Sequence, residues 1–332
     1  MINIEKIREA ARTVDFSGVI SIYEKQAPRF HQSFGYRDIK NEVPNTPGTL
    51  FGIASGTKLF TALGIGVLID RGKIAFDTPV CRISQEYRGF IDDQATVLHL
   101  LTHTSGIYDY YDEELEEDSD DFFVEIPWYR LETPSDYFPL FAGKQAKFPA
   151  GQRFSYSNGG YVFLGILIEK ITGRIYREFM ENEVFRPAGM ERTGFYALND
   201  LPENTANGYL QNRRETNIYH LPIRGGGDGG LYTTSADLNA FWDSFLSSRI
   251  LSERLTSAYL RTRLAINEKS GYGCGIYKRL DDSMYFIVGG DAGVGFDSRW
   301  MPKEKLILSI LSNVTDGEER MRDIILSMME GE

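Results

Sequence analysis

A serine and a lysine three residues apart, Ser55 and Lys58, open the apolar stretch "FGIASGTKLFTALGIGVLID" at residues 51–70. At that spacing the two side chains share one face of a helical turn and can meet. A serine hydroxyl is a weak nucleophile until a base takes its proton, and a lysine is such a base once burial lowers its pKa. The apolar run after Lys58 supplies that burial. Serine is also a preferred N-cap, so Ser55 is expected both to cap the helix and to face the positive end of its dipole. A second pair, Tyr156 and Asn158, lies in a polar loop after Pro149 and Gly151. Tyrosine relays protons if a nearby ammonium depresses its pKa from about 10. Asparagine can donate to a substrate carbonyl or hold Lys58 in place. Alone, Tyr-Ser-Asn is a plain helix start; with Ser55 and Lys58 it offers nucleophilic acyl transfer.

Other motifs fail on their chemistry. "HLLTH" puts His99 and His103 at i,i+4 but lacks the glutamate of a zinc helix and a third ligand, so no metal and no cofactor are expected. "GVLIDRGKI" has the wrong spacing for a phosphate loop, and "GGGDGG" at 225–230 lacks a βαβ frame and is expected to be a tight loop. The run "YDYYDEELEEDSDDFFVE" at 108–125 is expected to be a solvated loop, with an acidic lid over the cleft (109–121) as the functional alternative.

These residues need elements to hold them. Alternating segments at 18–36 predict a β-hairpin, and the buried helix runs from Lys58 to Asp70 before Arg71-Gly72 stops it. Residues 81–200 carry helical periodicity and loops. "YGCGIYKRL", "MYFIVGG", "GFDSRWMP" and "KLILSILSNV" predict an antiparallel meander, and a helix over 317–330 closes the chain. Strands at both ends therefore build one sheet, with helices inserted between and a cleft where the two parts meet. The division expected is 1–80 with 205–332 for the sheet, and 81–204 for the helices.

Composition limits the partners. The 332 residues are 42% hydrophobic and 25% charged, as in a globular protein, and a net charge of −11 disfavours nucleic acid and anionic membranes. The longest apolar stretch, 59–69, is about half the roughly 20 residues of a membrane span, and the N-terminus lacks the apolar core of a signal peptide. The two cysteines, Cys81 and Cys274, form no CxxC pair. Free thiols in the cytoplasm are the expectation, with a small-molecule or short-peptide substrate. The oligomeric state is open.

The ordered motifs resemble a known family. "SGTK" (55–58) is similar to the SxxK motif of serine β-lactamases and penicillin-binding proteins, and "YSN" (156–158) to their YxN motif. "VLHLLTHTSGI", "FPAGQRFSYSNGGYVFLGILIEKITG", "FRPAGMERTGF", "GGGDGGLYTTSADLNAF" and "GYGCGIY" extend the likeness from about residue 15 to 315, within the class C β-lactamase, DD-peptidase and family VIII esterase group. The resemblance implies an α/β (α+β) fold of the β-lactamase/transpeptidase type: a central antiparallel sheet flanked by helices, plus an all-helical domain. It assigns Ser55 as acylated nucleophile, Lys58 as its base, Tyr156 as proton relay and Asn158 as a contact to Lys58 or substrate. His103 falls in structural text, outside the site.

The family's third motif, Lys-Thr-Gly or His-x-Gly on a strand, has no match. The best register sets Asp291-Ala292-Gly293 there as substrate-binding residues, with Val294 next. The implied oxyanion hole is then the backbone N–H of Ser55 and Val294. An acid would stand where a cation is expected. Two like charges about 4 Å apart at an effective dielectric near 20 cost roughly 4 kcal/mol, so a substrate carboxylate should be rejected unless Arg224 or Arg299 compensates. The expected function is a serine hydrolase acting on an ester or amide through a Ser55 acyl-enzyme, β-lactams included as acylating ligands but not as efficiently hydrolysed ones. The alternative is a non-catalytic protein that binds a peptide-like ligand on the same fold.

Overall fold

The computed structural model describes residues 3–115, 120 and 122–330. Alternating side chains at 18–34 form the expected hairpin, Gly18–Glu24 against Ala27–Phe34. Its first strand lies antiparallel to Leu306–Ser312, with Gly18 opposite Ser312 and Glu24 opposite Leu306. The two ends of the chain thus close one sheet. From Leu306–Ser312 the sheet continues through Val294–Met301, Tyr285–Asp291, Tyr277–Arg279, Ser270–Tyr272 and Leu264–Ala265, eight strands in all. Every pairing is antiparallel.

The period of two sends alternate side chains to opposite faces. Ile20 and Ile22 face Ile310 and Leu308 across the ladder, and the helices Ile4–Thr13 and Glu319–Glu330 cover them with Ile7, Ala11, Met321 and Ile325. Val19, Ile307 and Leu311 point the other way, into a larger core shared with Phe60, Leu63, Phe163, Leu167, Phe241 and Trp242. That core draws on three helices, Thr57–Asp70, Asn158–Thr172 and Ser235–Leu246. Each fully buried Leu or Phe there contributes about 1.5–3 kcal/mol.

The Thr57–Asp70 helix is buried at every residue from Thr57 to Leu68, as its unbroken apolar run requires. The Asn158–Thr172 helix is likewise buried at every residue from Asn158 to Ile168. All eight strands of the sheet lie outside residues 81–204, and the larger core runs unbroken from that segment to the sheet. Among the described residues no helix is long and apolar enough to cross a membrane.

Candidate active site

The chain turns sharply before the Thr57 helix. Ala54 holds φ at +42°, a left-handed value that costs a non-glycine residue about 1–2 kcal/mol. Thr57 Oγ1 donates to the Ala54 carbonyl at 2.7 Å and ties the turn down. Ser55 sits inside this 3-10 turn, and the N-cap falls to Gly56, which makes no side-chain cap bond. The capping role expected of Ser55 is therefore corrected. Its hydroxyl instead takes a hydrogen bond from Lys58.

Lys58 is 2% exposed, and its Nζ donates to Ser55 Oγ (2.8 Å), Asn158 Oδ1 (2.7 Å) and the Asp228 carbonyl (2.9 Å). Burial lowers its pKa, opposed by Asp228, Glu113, Asp109 and Asp291. Behind it, Asn158 Nδ2 donates to Glu113 Oε1 and to the Tyr111 carbonyl, both at 2.9 Å, which fixes the amide with its oxygen toward Lys58. Asp109 accepts the N–H groups of Asn158 (2.8 Å) and Gly159 (2.7 Å) at the start of that helix. Burial still pushes the Asp109 carboxyl up to about 7.

Tyr156 lies over the same lysine, with Lys58 Nζ 4.8 Å from its ring centre, and hydrogen-bonds to Ser55. Its pKa was expected to fall beside an ammonium. Burial instead raises it well above 10, and the Ser55 hydrogen bond only partly offsets this. Tyr156 is thus a neutral phenol. His103 supports the loop: its Nδ1 accepts the Ser157 N–H at 3.0 Å, and Nε2 meets the Tyr272 hydroxyl at 3.0 Å. It lies past the end of the Val97–Leu101 helix at φ +56°, so the i,i+4 spacing with His99 is not a helical one.

The strand in front of Ser55 is Tyr285–Asp291, in a register that differs from expectation. A Cβ on Gly289 would lie 2.2 Å from the Ile53 carbonyl oxygen and 2.9 Å from the Ser55 and Gly56 nitrogens, so only glycine allows this approach. The glycine facing Ser55 is therefore Gly289, not Gly293, and Ile287-Val288-Gly289 occupies the place given to Asp291-Ala292-Gly293. Ladder pairing closes on Asp291 and Val294, which exchange their N–H and C=O groups. The Val294 N–H is thereby committed to the sheet. Gly290, one residue back from the closing pair, turns its N–H and C=O away from the neighbouring strand, toward the edge left open beyond Phe286.

Ala292 and Gly293 form the hairpin tip. Ala292 is fully buried and its carbonyl accepts from Asn217 Nδ2 at 2.9 Å; the Gly293 N–H donates to Thr315 Oγ1 at 2.7 Å, with φ +71° as the turn requires. The Ala292 carbonyl and the Gly293 N–H are thus taken up within the protein. Val294 lines a cavity of about 50 Å³ whose wall also holds Ala54, the residue before Ser55, with Asp228 and Asp291. Burial pushes the Asp291 carboxyl up to about 7, helped by Asp228 and Glu113 and opposed by the Ala292 N–H and Lys58. The two arginines expected to compensate are engaged elsewhere. Arg299 is held bidentate by Asp297, both contacts at 2.7 Å, and Arg224 reaches the Phe195 carbonyl.

Several residues here went unread in the sequence. Asp228 of the glycine loop gives its carbonyl to Lys58 and accepts the Tyr110 hydroxyl at 2.6 Å; it is 7% exposed. Asp109, Tyr110, Tyr111 and Glu113 belong to the acidic stretch expected to be solvated, and they line the back of the site. The available signal was the tyrosines set among the acids. Residues 116–119 and 121 of that stretch lie outside the described residues.

A buried lysine on a serine, a fixed asparagine behind it and an open strand edge in front form one connected site. The Beta-lactamase family model matches residues 5–329, and the chain belongs to that family. A penicillin-binding protein of Bacillus subtilis is 30% identical over 277 residues, which is 78% of this chain and 59% of the relative. The teichoic acid D-alanine hydrolase of Staphylococcus aureus is 23% identical over 308 residues, 92% of this chain and 73% of that protein. The chain spans 59% and 65% of the length of the two Bacillus subtilis relatives it matches. The crystal structure of a penicillin-binding protein from Bacillus halodurans superposes with a TM-score of 0.91 at 34% identity, covering 97% of this chain and 99% of that one. A D-amino acid amidase from Ochrobactrum anthropi shares the fold, with a TM-score of 0.79 at 20% identity over 98% of this chain and 99% of that one.

Proposed function

We propose that the chain is a serine hydrolase that opens an ester or amide through an acyl-enzyme on Ser55. The carrying observation is Lys58 Nζ at 2.8 Å from Ser55 Oγ, in a place where burial favours the neutral amine. Neutral Lys58 takes the Ser55 proton as Oγ attacks the carbonyl carbon. The oxyanion forms against the Ser55 and Gly290 N–H groups. Tyr156, hydrogen-bonded to Ser55, passes a proton to the leaving group and is reprotonated from Lys58. Water then enters by the reverse path and releases the acid. A hole of two backbone donors supports about 10²–10³ in rate per donor.

Asp291 and Asp228 near the nucleophile, and Ile287 where the family's cation is expected, support substrates without a carboxylate. The names of the relatives, a D-alanine hydrolase and a D-amino acid amidase, support small D-aminoacyl esters or amides. Penicillins acylate Ser55 in this reading without fast release. The two cysteines are buried and free, which supports a reducing, cytoplasmic setting. The test is hydrolysis of p-nitrophenyl acetate and of an anionic p-nitrophenyl ester by wild type and Ser55→Ala. Faster turnover of the neutral ester, lost in Ser55→Ala, is expected; full activity in Ser55→Ala overturns the proposal.

A further inference from the structure

The acidic stretch behind the site is fastened at every residue from 109 to 114. Asp109 takes the Asn158 and Gly159 N–H groups, the Tyr110 hydroxyl donates to Asp228, and the Tyr111 carbonyl accepts Asn158 Nδ2. Asp112 pairs with Lys147, and Glu114 holds Arg153 bidentate at 2.7 and 3.0 Å. Glu113 stands between these two clamps. It is an exposed residue, yet its Oε1 is fixed on Asn158 Nδ2 at 2.9 Å. Asn158 Oδ1 in turn accepts from Lys58 Nζ at 2.7 Å, so carboxylate and amine lie on the two sides of one conjugated amide. A carboxylate that takes the amide N–H leaves the carbonyl oxygen a stronger acceptor, since hydrogen bonds in a chain polarise one another.

We infer that Glu113 is a positioning residue for the general base: it holds the Asn158 amide with its oxygen on Lys58 and thereby sets the pH at which Lys58 can take the Ser55 proton. The inference rests on the acyl-enzyme reading above and adds to it a residue outside the sequence motifs. Orientation comes first. Turned over, the amide would set its N–H against the ammonium, donor against donor. Two acceptors on Nδ2, Glu113 Oε1 and the Tyr111 carbonyl, keep it from turning. Charge comes second. Lys58 is faced by the carboxyls of Asp228, Glu113, Asp109 and Asp291, by the Tyr156 and Tyr161 rings, and by His103. Asp109 is engaged by backbone N–H groups, Asp228 by the Tyr110 hydroxyl and Asp291 by the Ala292 N–H. Glu113 is joined to the lysine through a side-chain amide, with Tyr156, Tyr277 and Asp291 facing it in turn. Its negative charge favours the ammonium, so its removal lets Lys58 give up a proton at lower pH.

The experiment follows the rate at which a neutral fluorophosphonate labels Ser55, read by intact mass across pH at constant ionic strength, in wild type, Glu113→Gln and Glu113→Ala. Glutamine keeps an oxygen for Asn158 and removes the charge. The rising limb should therefore move to lower pH by about half a unit, as one exposed charge across an amide allows, which is labelling about threefold faster below the limb. Glu113→Ala should move the limb at least as far and also lower the plateau, because Asn158 loses an acceptor. If Ser55 is labelled and the Glu113→Gln limb stays in place or moves to higher pH, the positioning role is overturned and the acyl-enzyme stands. A lower plateau with an unmoved limb marks a purely structural contact and overturns the role equally. If Ser55 is never labelled, the acyl-enzyme reading fails and the role of Glu113 with it.

Discussion

Gly289→Ala perturbs the site at its tightest backbone contact. The new methyl would sit 2.2 Å from the Ile53 carbonyl oxygen and 2.9 Å from the Ser55 and Gly56 nitrogens. All three are backbone atoms, so no side chain can swing aside. The strand or the Ser55 turn must retreat by about 1 Å, a strain of about 1–3 kcal/mol for an overpacked interior. The Gly290 N–H rides on the same strand and would leave its place opposite the Ser55 N–H. A shift of that size costs about 10²-fold, and loss of one oxyanion donor about 10²–10³-fold, in kcat. Hydrolysis of p-nitrophenyl acetate by Gly289→Ala should therefore fall about a hundredfold, with the melting temperature a few degrees lower. Gly48→Ala is the matched control, since its Cβ would meet only Arg192 Nη1 at 3.6 Å and Asn204 Nδ2 at 3.9 Å. A Gly289→Ala enzyme within about threefold of wild type would refute the wedge of this strand against Ser55 and the Gly290 donor with it.

Burial lowers the Lys58 pKa, so kcat/KM for a neutral ester should rise with pH through a value below the ordinary lysine 10.5; a limb at or above it would contradict Lys58 as the base. His103→Ala should lower the melting temperature and slow turnover, because two buried hydrogen bonds holding the Tyr156 loop are lost, each worth about 1–3 kcal/mol when a partner is left unsatisfied. Unchanged melting and rate would place that loop under other control. Burial and the nearby Asp297 push the Glu318 carboxyl up to about 8 from 4.5. The folded state keeps a proton that the unfolded chain gives up, so this group's stabilisation is lost as pH rises across that window. Glu318→Gln should thus raise the melting temperature near pH 9 while changing it little near pH 5; the opposite order would reverse the sign of the shift.

What could be read from the sequence was local or periodic. Ser55 and Lys58 meet because three residues on a turn place them together. The sheet's assembly from both termini follows from the alternation of "GVISIYE" and "KLILSILSNV". The third motif was not legible, because glycines at 289, 290, 293 and 295 permit several registers and only the closure on Asp291 and Val294 selects one. Asp228 and Glu113 were missed because acids in glycine-rich or charged loops are usually solvent-facing, and only the folded chain turns these toward Lys58. The sign of the Tyr156 shift failed for a related reason. Tyr156 is buried as well as beside Lys58, and burial raises its pKa more than the Ser55 hydrogen bond lowers it.

The central claim is a covalent bond at one hydroxyl. Intact-mass and peptide-mapping measurements on wild type and Ser55→Ala after exposure to a fluorophosphonate, and separately to a penicillin, test it most directly. A single adduct on the peptide containing Ser55, absent from Ser55→Ala, is the expected result. An adduct that persists in Ser55→Ala, or none with either reagent, would contradict the acyl-enzyme.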